Sequence, residues 1–222
     1  MIEWNTIYIT FKLAIITTSV LLLVGIPLAY WLAYGSSKLK FIFEALIALP
    51  LVLPPTVLGF YLLIAFSSQS SLGKFLDSHF NLSIAFTFSG LVIGSVIYSL
   101  PFMIQPIQAG FQQLSPSLKE ASYILGKSRW QTLTMVLLPN IKSALLTGIV
   151  LSFAHTIGEF GVVLMIGGNL DETRVASIAI FDSVNRLDYA TAHSYSLLLL
   201  LFSFVILALV YFFNKKAMTS FR

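Results

Sequence analysis

The stretch SPSLKEASYILGKSRWQTLTMVLLP, residues Ser115–Pro139, is the most informative segment in a largely apolar chain, and its reading decides what the rest must be. It is too polar to cross a bilayer and too regular for a plain linker. Ser117-Leu118-Lys119-Glu120 has capping-box spacing, with Ser at the N-cap and Glu three residues on. Leu118, Ala121, Ile124 and Leu125 then fall on one apolar face of a short helix. Gly126 stands where a left-handed C-cap would end it. Ser128-Arg129-Trp130-Gln131 repeats the capping spacing and starts a second helix that runs into Leu138-Pro139. The prediction is helix, tight turn, helix, standing out from whatever lies on either side. A lone amphipathic helix lying on a membrane surface is the rival reading.

What lies on either side is hydrocarbon-loving. The 222 residues are 57% hydrophobic and 10% charged, with a mean hydropathy of +0.89. A soluble domain carries about 25% charged residues, so the chain is read as an all-α integral membrane protein with lipid as its solvent. Five stretches approach or exceed the ~20 apolar residues that a crossing needs: Leu13–Tyr34, Ala45–Phe66, Leu82–Ile104, Ser143–Ile166 and Ala190–Phe213. A sixth crossing follows if Leu82–Phe111 or Ile141–Ile180 is broken in two. Helix is the only conformation that satisfies each backbone inside lipid. The first stretch is long for a signal peptide and lacks a cleavage pattern, so it is read as a retained span. Trp4, Tyr8, Tyr30, Trp31 and Tyr34 flank it as interfacial aromatics do.

Basic residues divide unevenly between alternate sides. Lys38, Lys40, Lys119, Lys127, Arg129, Lys142, Lys215, Lys216 and Arg222 share one side; Lys12, Lys74, Arg174 and Arg186 share the other. The richer side is cytoplasmic, which puts the N-terminus outside and the C-terminus inside. The excess of positive charge is therefore a matter of topology, and no basic–aromatic repeat points to nucleic acid.

Only one of the five stretches holds an acidic or basic residue, and that residue is Glu159. A charge at the bilayer centre costs about 2.5–3.5 kcal/mol on insertion scales, so it is rarely idle. His155, four residues earlier, would share its face if the helix continues; alternatively Glu159 accepts bonds at a helix break between Gly158 and Gly161. Prolines are concentrated as well: Pro50, Pro54 and Pro55 lie in the second stretch, Pro27 in the first and Pro101 in the third. Ordinary kinks suit the last two, while the cluster of three suggests a pathway feature, since broken helices persist at membrane depth only beside protein or a watery cavity.

Catalytic readings find no support. With no cysteine there is no disulfide, thiolate site or Cys nucleophile. His79 and His193 have no second ligand at metal spacing, no metal site is expected, and no nucleophile–base–acid set converges. No G-x-x-x-x-G-K-[ST] is present, so ATP is not bound in the P-loop manner.

Three segments resemble known transporters. Glu120-Ala121-Ser122, then Gly126, then Val136-x-Leu138-Pro139 is similar to the E-A-A loop of ABC importer permeases, with Ser122 and Val136 as small departures. His155-Thr156-Ile157-Gly158-Glu159-Phe160-Gly161, followed by Leu164-Met165 and Gly167-Gly168-Asn169, resembles the corresponding run of molybdate permeases, as does Leu49–Gly59. The likeness extends from about Ile42 to Ser183, with Val162-Val163 as a departure. It implies a type I ABC importer permease over residues 1–222, with a cytoplasmic coupling loop at about 115–139. Glu120, Ala121, Ser122, Gly126, Leu138 and Pro139 would receive a separate ATPase. His155, Thr156, Gly158, Glu159, Gly161, Pro54 and Pro55 are pathway or gate candidates.

The resemblance further implies partners in the bacterial inner membrane: two copies of the ATPase, which hold ATP and magnesium, a second copy of this chain, and an extracytoplasmic oxyanion-binding protein. That protein would dock on Gln69–Ser78 and Asn169–Tyr189, where Arg174 and Arg186 either face an acidic partner or are solvated. Cargo would be molybdate, with tungstate and sulfate as alternatives. A fixed carboxylate repels a dianion, so Glu159 is expected to gate or pack, ahead of contacting cargo. An ion-coupled secondary transporter is the different-class alternative; it would want inverted repeats and more midplane charge.

Overall fold

The computed structural model describes residues 2–219, with side chains through Ala208; Lys215 and Lys216 of the charge reading belong to side chains beyond that point, and Arg222 lies outside the described residues. Among the described residues every regular element is helical. α1 (Trp4–Tyr34) is 31 residues long and begins nine residues before the expected Leu13. Its buried stripe, Leu13, Thr17, Leu21, Gly25, Ala29 and Leu32, recurs every three or four residues and turns one face to its neighbours. The small residues in that stripe let helices approach closely, which is how association works when lipid is as apolar as the core.

The second expected span is two helices. α2 (Lys40–Val52) and α3 (Pro55–Phe66) meet at a 115° bend. Pro54 is the N-cap of α3 and Pro55 its first residue, so both missing N–H groups fall where a helix start has no use for them. Pro50, by contrast, stays inside α2 and is buried. Next comes α4 (Ser71–Phe80), where the sequence reading held only an outward loop. The Ser70 hydroxyl accepts the Gly73 N–H at 2.8 Å and starts it; Asn81 at φ 52° ends it.

α5 (Phe88–Gln112) replaces the expected Leu82–Ile104, shifted towards the C-terminus. Thr87 caps it, and residues 82–87 are held outside it by the Phe86 N–H, which donates to the Ile166 carbonyl at 2.7 Å. Pro101 and Pro106 lie within α5 without ending it. α6 (Pro116–Ile124) and α7 (Arg129–Thr132) follow; a five-residue π turn (Leu133–Leu137) then leads to α8 (Leu138–Asn140). α9 (Lys142–Gly158) departs from this segment at 80°. α10 (Gly161–Gly167), α11 (Ala176–Asn185) and α12 (Tyr189–Thr219) complete the chain.

Among the described residues three helices, α1, α5 and α12, are long and apolar enough to cross a membrane alone, and the number reaches five if each of two bent pairs is one span. Neither route to a sixth is taken. From Phe88 onward α5 is unbroken; α10, at seven residues, reaches about 10 Å.

Helix ends sort into two sides. At one, the Tyr34 hydroxyl donates to the Phe111 carbonyl at 3.0 Å, joining the ends of α1 and α5 beneath α6. At the other, the Glu3 N–H donates to the Tyr195 hydroxyl at 2.7 Å and the Arg174 guanidinium meets the Glu3 carboxylate at 3.1 Å. α1 and α5 are therefore parallel, and the described basic residues separate as the sequence reading expected. One apolar cluster, built on Leu32, Met103, Ile107, Phe111 and Leu137, fills the α6 end. A second, built on Ile9, Leu91, Val163, Ile166 and Ile178, fills the opposite end.

Candidate functional site

Two places gather the candidate residues: a polar hairpin at one end of the helices and a helix break near their middle. The hairpin is built from α6 and the segment Arg129–Asn140. Its first cap differs from the sequence reading. Pro116, with φ already helical, takes the first position of α6, so the helix begins before Ser117 and the Ser117–Glu120 box does not form. Glu120 is left exposed.

The end of α6 follows expectation. Gly126 sits at φ +76°; its N–H donates to the Tyr123 carbonyl at 2.9 Å, and the Lys127 N–H donates to the Ser122 carbonyl at 3.1 Å. This is the paired closure of a Schellman turn, and it needs a residue that tolerates positive φ. The second capping box forms: the Gln131 N–H donates to the Ser128 hydroxyl at 3.2 Å, and the Ser128 N–H to the Gln131 side-chain Oε1 at 2.9 Å. A contact that sequence reasoning missed joins the two arms. The buried Ser122 and Thr132 hydroxyls meet at 2.9 Å, so the substitution read as a harmless departure makes a hydrogen bond that Ala could not.

The expected apolar face of α6 is divided. Leu118 packs on the α6-end cluster together with Leu133, Leu137 and Leu138. Ala121 faces outward instead, and the tip shows Ile124 at 86% and Leu125 at 78% exposure, with Trp130 and Met135 beside them. Pro139 is exposed at the bend into α9. The hairpin is thus rooted by one set of apolar side chains and crowned by another, which water does not favour.

At the second place α9 stops at Gly158. Glu159 is extended (φ −67°, ψ 134°), Phe160 is irregular, and α10 restarts at Gly161. The break fell where the flanking glycines suggested, but the pairing did not: with Glu159 beyond the helix, His155 and Glu159 do not hydrogen-bond. His155 Nδ1 instead meets the Ser99 hydroxyl at 2.9 Å, and its ring stacks on Phe102 with centroids 4.1 Å apart. Ser99 also reaches the Thr156 hydroxyl at 3.1 Å, which donates to the Ser152 carbonyl at 2.8 Å. Ser95 and Ser99, one turn apart in α5, were the sequence signal for this polar seam; they were passed over because each is neutral.

Glu159 is 3% exposed. The Ser177 hydroxyl donates to its backbone carbonyl at 2.5 Å, while its carboxyl oxygens accept no protein hydrogen bond; Ser95 faces them without meeting hydrogen-bond geometry. A cavity of about 400 Å³ opens here between α3, α5, α9 and α10, and Pro55, Thr56, Tyr98, His155, Gly158, Glu159 and Gly161 line it. Pro54 does not; it is exposed and serves only as the cap of α3. Close backbone approach fixes the walls. A Cβ at Gly161 would stand 2.6 Å from Pro55 Cβ, and one at Gly59 would stand 2.9 Å from Val162 Cα. The cavity lining holds neither Lys nor Arg, so it has no cation with which to grip an anion.

On the far side, Arg174 is partly buried and already paired within the chain. It bridges Glu3 and Asp182, each at 3.1 Å, and Arg186 joins the same Asp182 at 3.0 Å.

Residues 25–219 match the model of the family described as "Binding-protein-dependent transport system inner membrane component". The chain belongs to that family. This permease is 46% identical over 206 residues to the molybdenum transport system permease protein ModB of Azotobacter vinelandii, covering 92% of this chain and 91% of the relative. It is 33% identical over 184 residues to the sulfate transport system permease protein CysT of Escherichia coli, covering 82% and 66%. Among solved structures, the inward-facing MetNI methionine ABC transporter superposes with a TM-score of 0.73 at 15% identity, over 97% of the permease and 99% of that chain. A bacterial ABC transporter involved in alginate import gives 0.73 at 16%, over 94% and 79%. At such identity these two share the fold. The family makes the permease a transport component of the inner membrane, and neither an enzyme nor an ion-coupled carrier.

Proposed function

We propose that this permease is the pathway subunit of an ATP-driven importer for molybdate. The whole chain, residues 1–222, acts as one transmembrane domain, its hairpin inside and its N-terminus outside. Two copies pair around one route, two copies of an ATPase dock on their hairpins, and an extracytoplasmic oxyanion-binding protein delivers cargo from the opposite face. The observation that carries the coupling role is the exposed Ile124–Leu125 tip on a hairpin whose turn is closed at Gly126 and Ser128 and whose arms are joined by the Ser122–Thr132 bond. A rigid element with an apolar end transmits displacement; a loose loop absorbs it. Glu120, Ala121 and Gly126 shape the surface presented to the ATPase, and Ser122, Leu138 and Pro139 hold it to the spans.

ATP binding would draw two hairpins together and open the route outward; hydrolysis would reverse this. The break at Gly158–Gly161 is the hinge of that motion, with Glu159, His155 and Thr156 as its polar lining. Such coupling requires that nucleotide and cargo each favour one of two states. The lack of a cation in the cavity supports a route whose selectivity resides in the binding protein.

Molybdate is favoured over sulfate by the higher identity and fuller mutual coverage of the ModB relative, and sulfate remains the second reading through CysT. The test is uptake by the intact transporter in vesicles at nanomolar molybdate, with excess sulfate or tungstate alongside. ATP-dependent molybdenum entry that only tungstate suppresses supports the assignment. Sulfate entry without molybdenum entry keeps the importer and overturns the cargo.

A further inference from the structure

A cleft of about 650 Å³ opens at the hairpin end of α1, walled by Tyr30, Trp31 and Tyr34, by Ser36 and Ser37, and by Lys119, Tyr123 and Arg129. Its wall contains two cations and no carboxylate. Lys119 Nζ lies over the Tyr34 ring at 4.4 Å, the Tyr30 ring at 5.6 Å and the Tyr123 ring at 6.0 Å. Three rings around one ammonium fix its position while leaving its charge unneutralised. Neither Lys119 nor Arg129 forms an ion pair among the described residues; the ion pairs present involve Lys40, Arg174 and Arg186. Arg129 is exposed at the start of α7 and lines the same cleft, and its planar guanidinium suits bidentate contact with an oxyanion.

We propose that this cleft binds a phosphate-type oxyanion, held between the Lys119 ammonium and the Arg129 guanidinium. Two sources share that chemistry: the headgroup of an anionic phospholipid, and a free tetrahedral oxyanion on the same side. The surroundings favour the headgroup. Tyr30, Trp31 and Tyr34 are aromatics at a span end, the level at which headgroups lie. Leu39, Phe41 and Phe43 follow directly after Ser36 and Ser37, are exposed, and offer an apolar bed for acyl chains; Trp31 packs edge-on against Phe43 at 5.1 Å. Basic pockets between spans on the inner side are suited to such lipids. Because Lys119 belongs to α6, a bound headgroup would tether the hairpin to the bilayer surface.

The measurement is native mass spectrometry of the intact transporter, ATPase included, released from vesicles containing equal phosphatidylglycerol and phosphatidylcholine. Parallel arms add millimolar phosphate, and molybdate, in solution. Expected is retention of phosphatidylglycerol about tenfold over phosphatidylcholine, lost in the K119Q/R129Q double variant and kept in Lys38→Gln. Lys119→Arg, which keeps the charge, should restore most of the preference if Lys119→Gln alone loses it. Displacement of the lipid by free phosphate or molybdate would assign the site to dissolved oxyanion; no displacement would assign it to lipid. Equal retention of the two lipids with no binding of either free anion overturns the proposal. So does a preference untouched by K119Q/R129Q, or one present only without the ATPase, which would make the cleft part of a protein interface.

Discussion

The hairpin and the helix break handle their polar groups in opposite ways. In the hairpin, both turns are closed by backbone and side-chain bonds, and the one buried hydroxyl pair, Ser122 and Thr132, is mutually satisfied. At the break, a buried carboxyl accepts no protein hydrogen bond, and the nearby Ser95 hydroxyl is likewise unpartnered within the chain. In the proposed mechanism the hairpin receives force, and its closed turns resist deformation. The break adopts two shapes, and gains from bonds that are not committed to either one. Exposure is inverted as well: the hairpin leaves apolar surface outside, whereas the break keeps polar atoms inside.

The largest effect should come from the tip. Replacing Ile124 and Leu125 by Asp removes two exposed apolar side chains, each worth about 1.5–3 kcal/mol when fully buried by a partner. ATP-driven uptake and ATPase capture should fall at least tenfold, while thermal stability of the permease moves by no more than about 0.5 kcal/mol. A large loss of stability would mean that the tip is part of the fold rather than an interface, and the contrast between the regions would fail.

Next is Glu159→Met, an unbranched replacement of similar length that fills irregular space. A charged group in mid-span costs about 2.5–3.5 kcal/mol, so its removal should raise the unfolding midpoint in detergent while uptake falls severalfold. Stability and transport moving in opposite directions is the signature of a residue kept for motion. Unchanged transport would remove Glu159 from the mechanism.

Ser122→Ala should cost about 1–3 kcal/mol, because it leaves the Thr132 hydroxyl buried without a partner. Adding Thr132→Val should recover most of that loss, since both polar groups are then gone. A double-mutant cycle on stability, with uptake measured in parallel, separates rigidity of the hairpin from its surface chemistry.

How much of this was legible differs between the regions for physical reasons. Signals confined to a few residues read well: the Ser128–Gln131 box, Gly126 at positive φ, the Pro54–Pro55 break, and the interruption between Gly158 and Gly161 all appear where the sequence placed them. Errors came where one local rule overrode another. Pro116 displaced the Ser117 cap. The helix end at Gly158 removed the four-residue geometry on which a His155–Glu159 pair depended. Tertiary partners were invisible, because nothing local links Ser122 to Thr132 or Ser99 to His155. The face of α6 was misassigned for the same reason: periodicity says which side chains share a side, not which side meets protein. α4 was missed although Ser70 and Asn81 mark its ends, because a loop between spans was expected there.

The smallest predicted effect tests whether the far side is merely a clasp. Arg174 is partly buried and holds Glu3 and Asp182 together, joining the start of α1 to α11. Arg186 reaches the same Asp182 but is 71% exposed at its side chain. An exposed pair is worth about 0–1 kcal/mol and weakens with salt, so Arg186→Ala should shift stability by at most about 0.5 kcal/mol and only at low salt. Arg174→Ala should cost more, since it leaves Asp182 with a single exposed partner. Uptake should be unchanged in Arg186→Ala if the residue only decorates the clasp. A salt-dependent fall in uptake, with stability unmoved, would instead mean that Arg186 meets an acidic partner there. The outer face would then resemble the hairpin in presenting a prepared surface, and the helix break would stand alone as the yielding region.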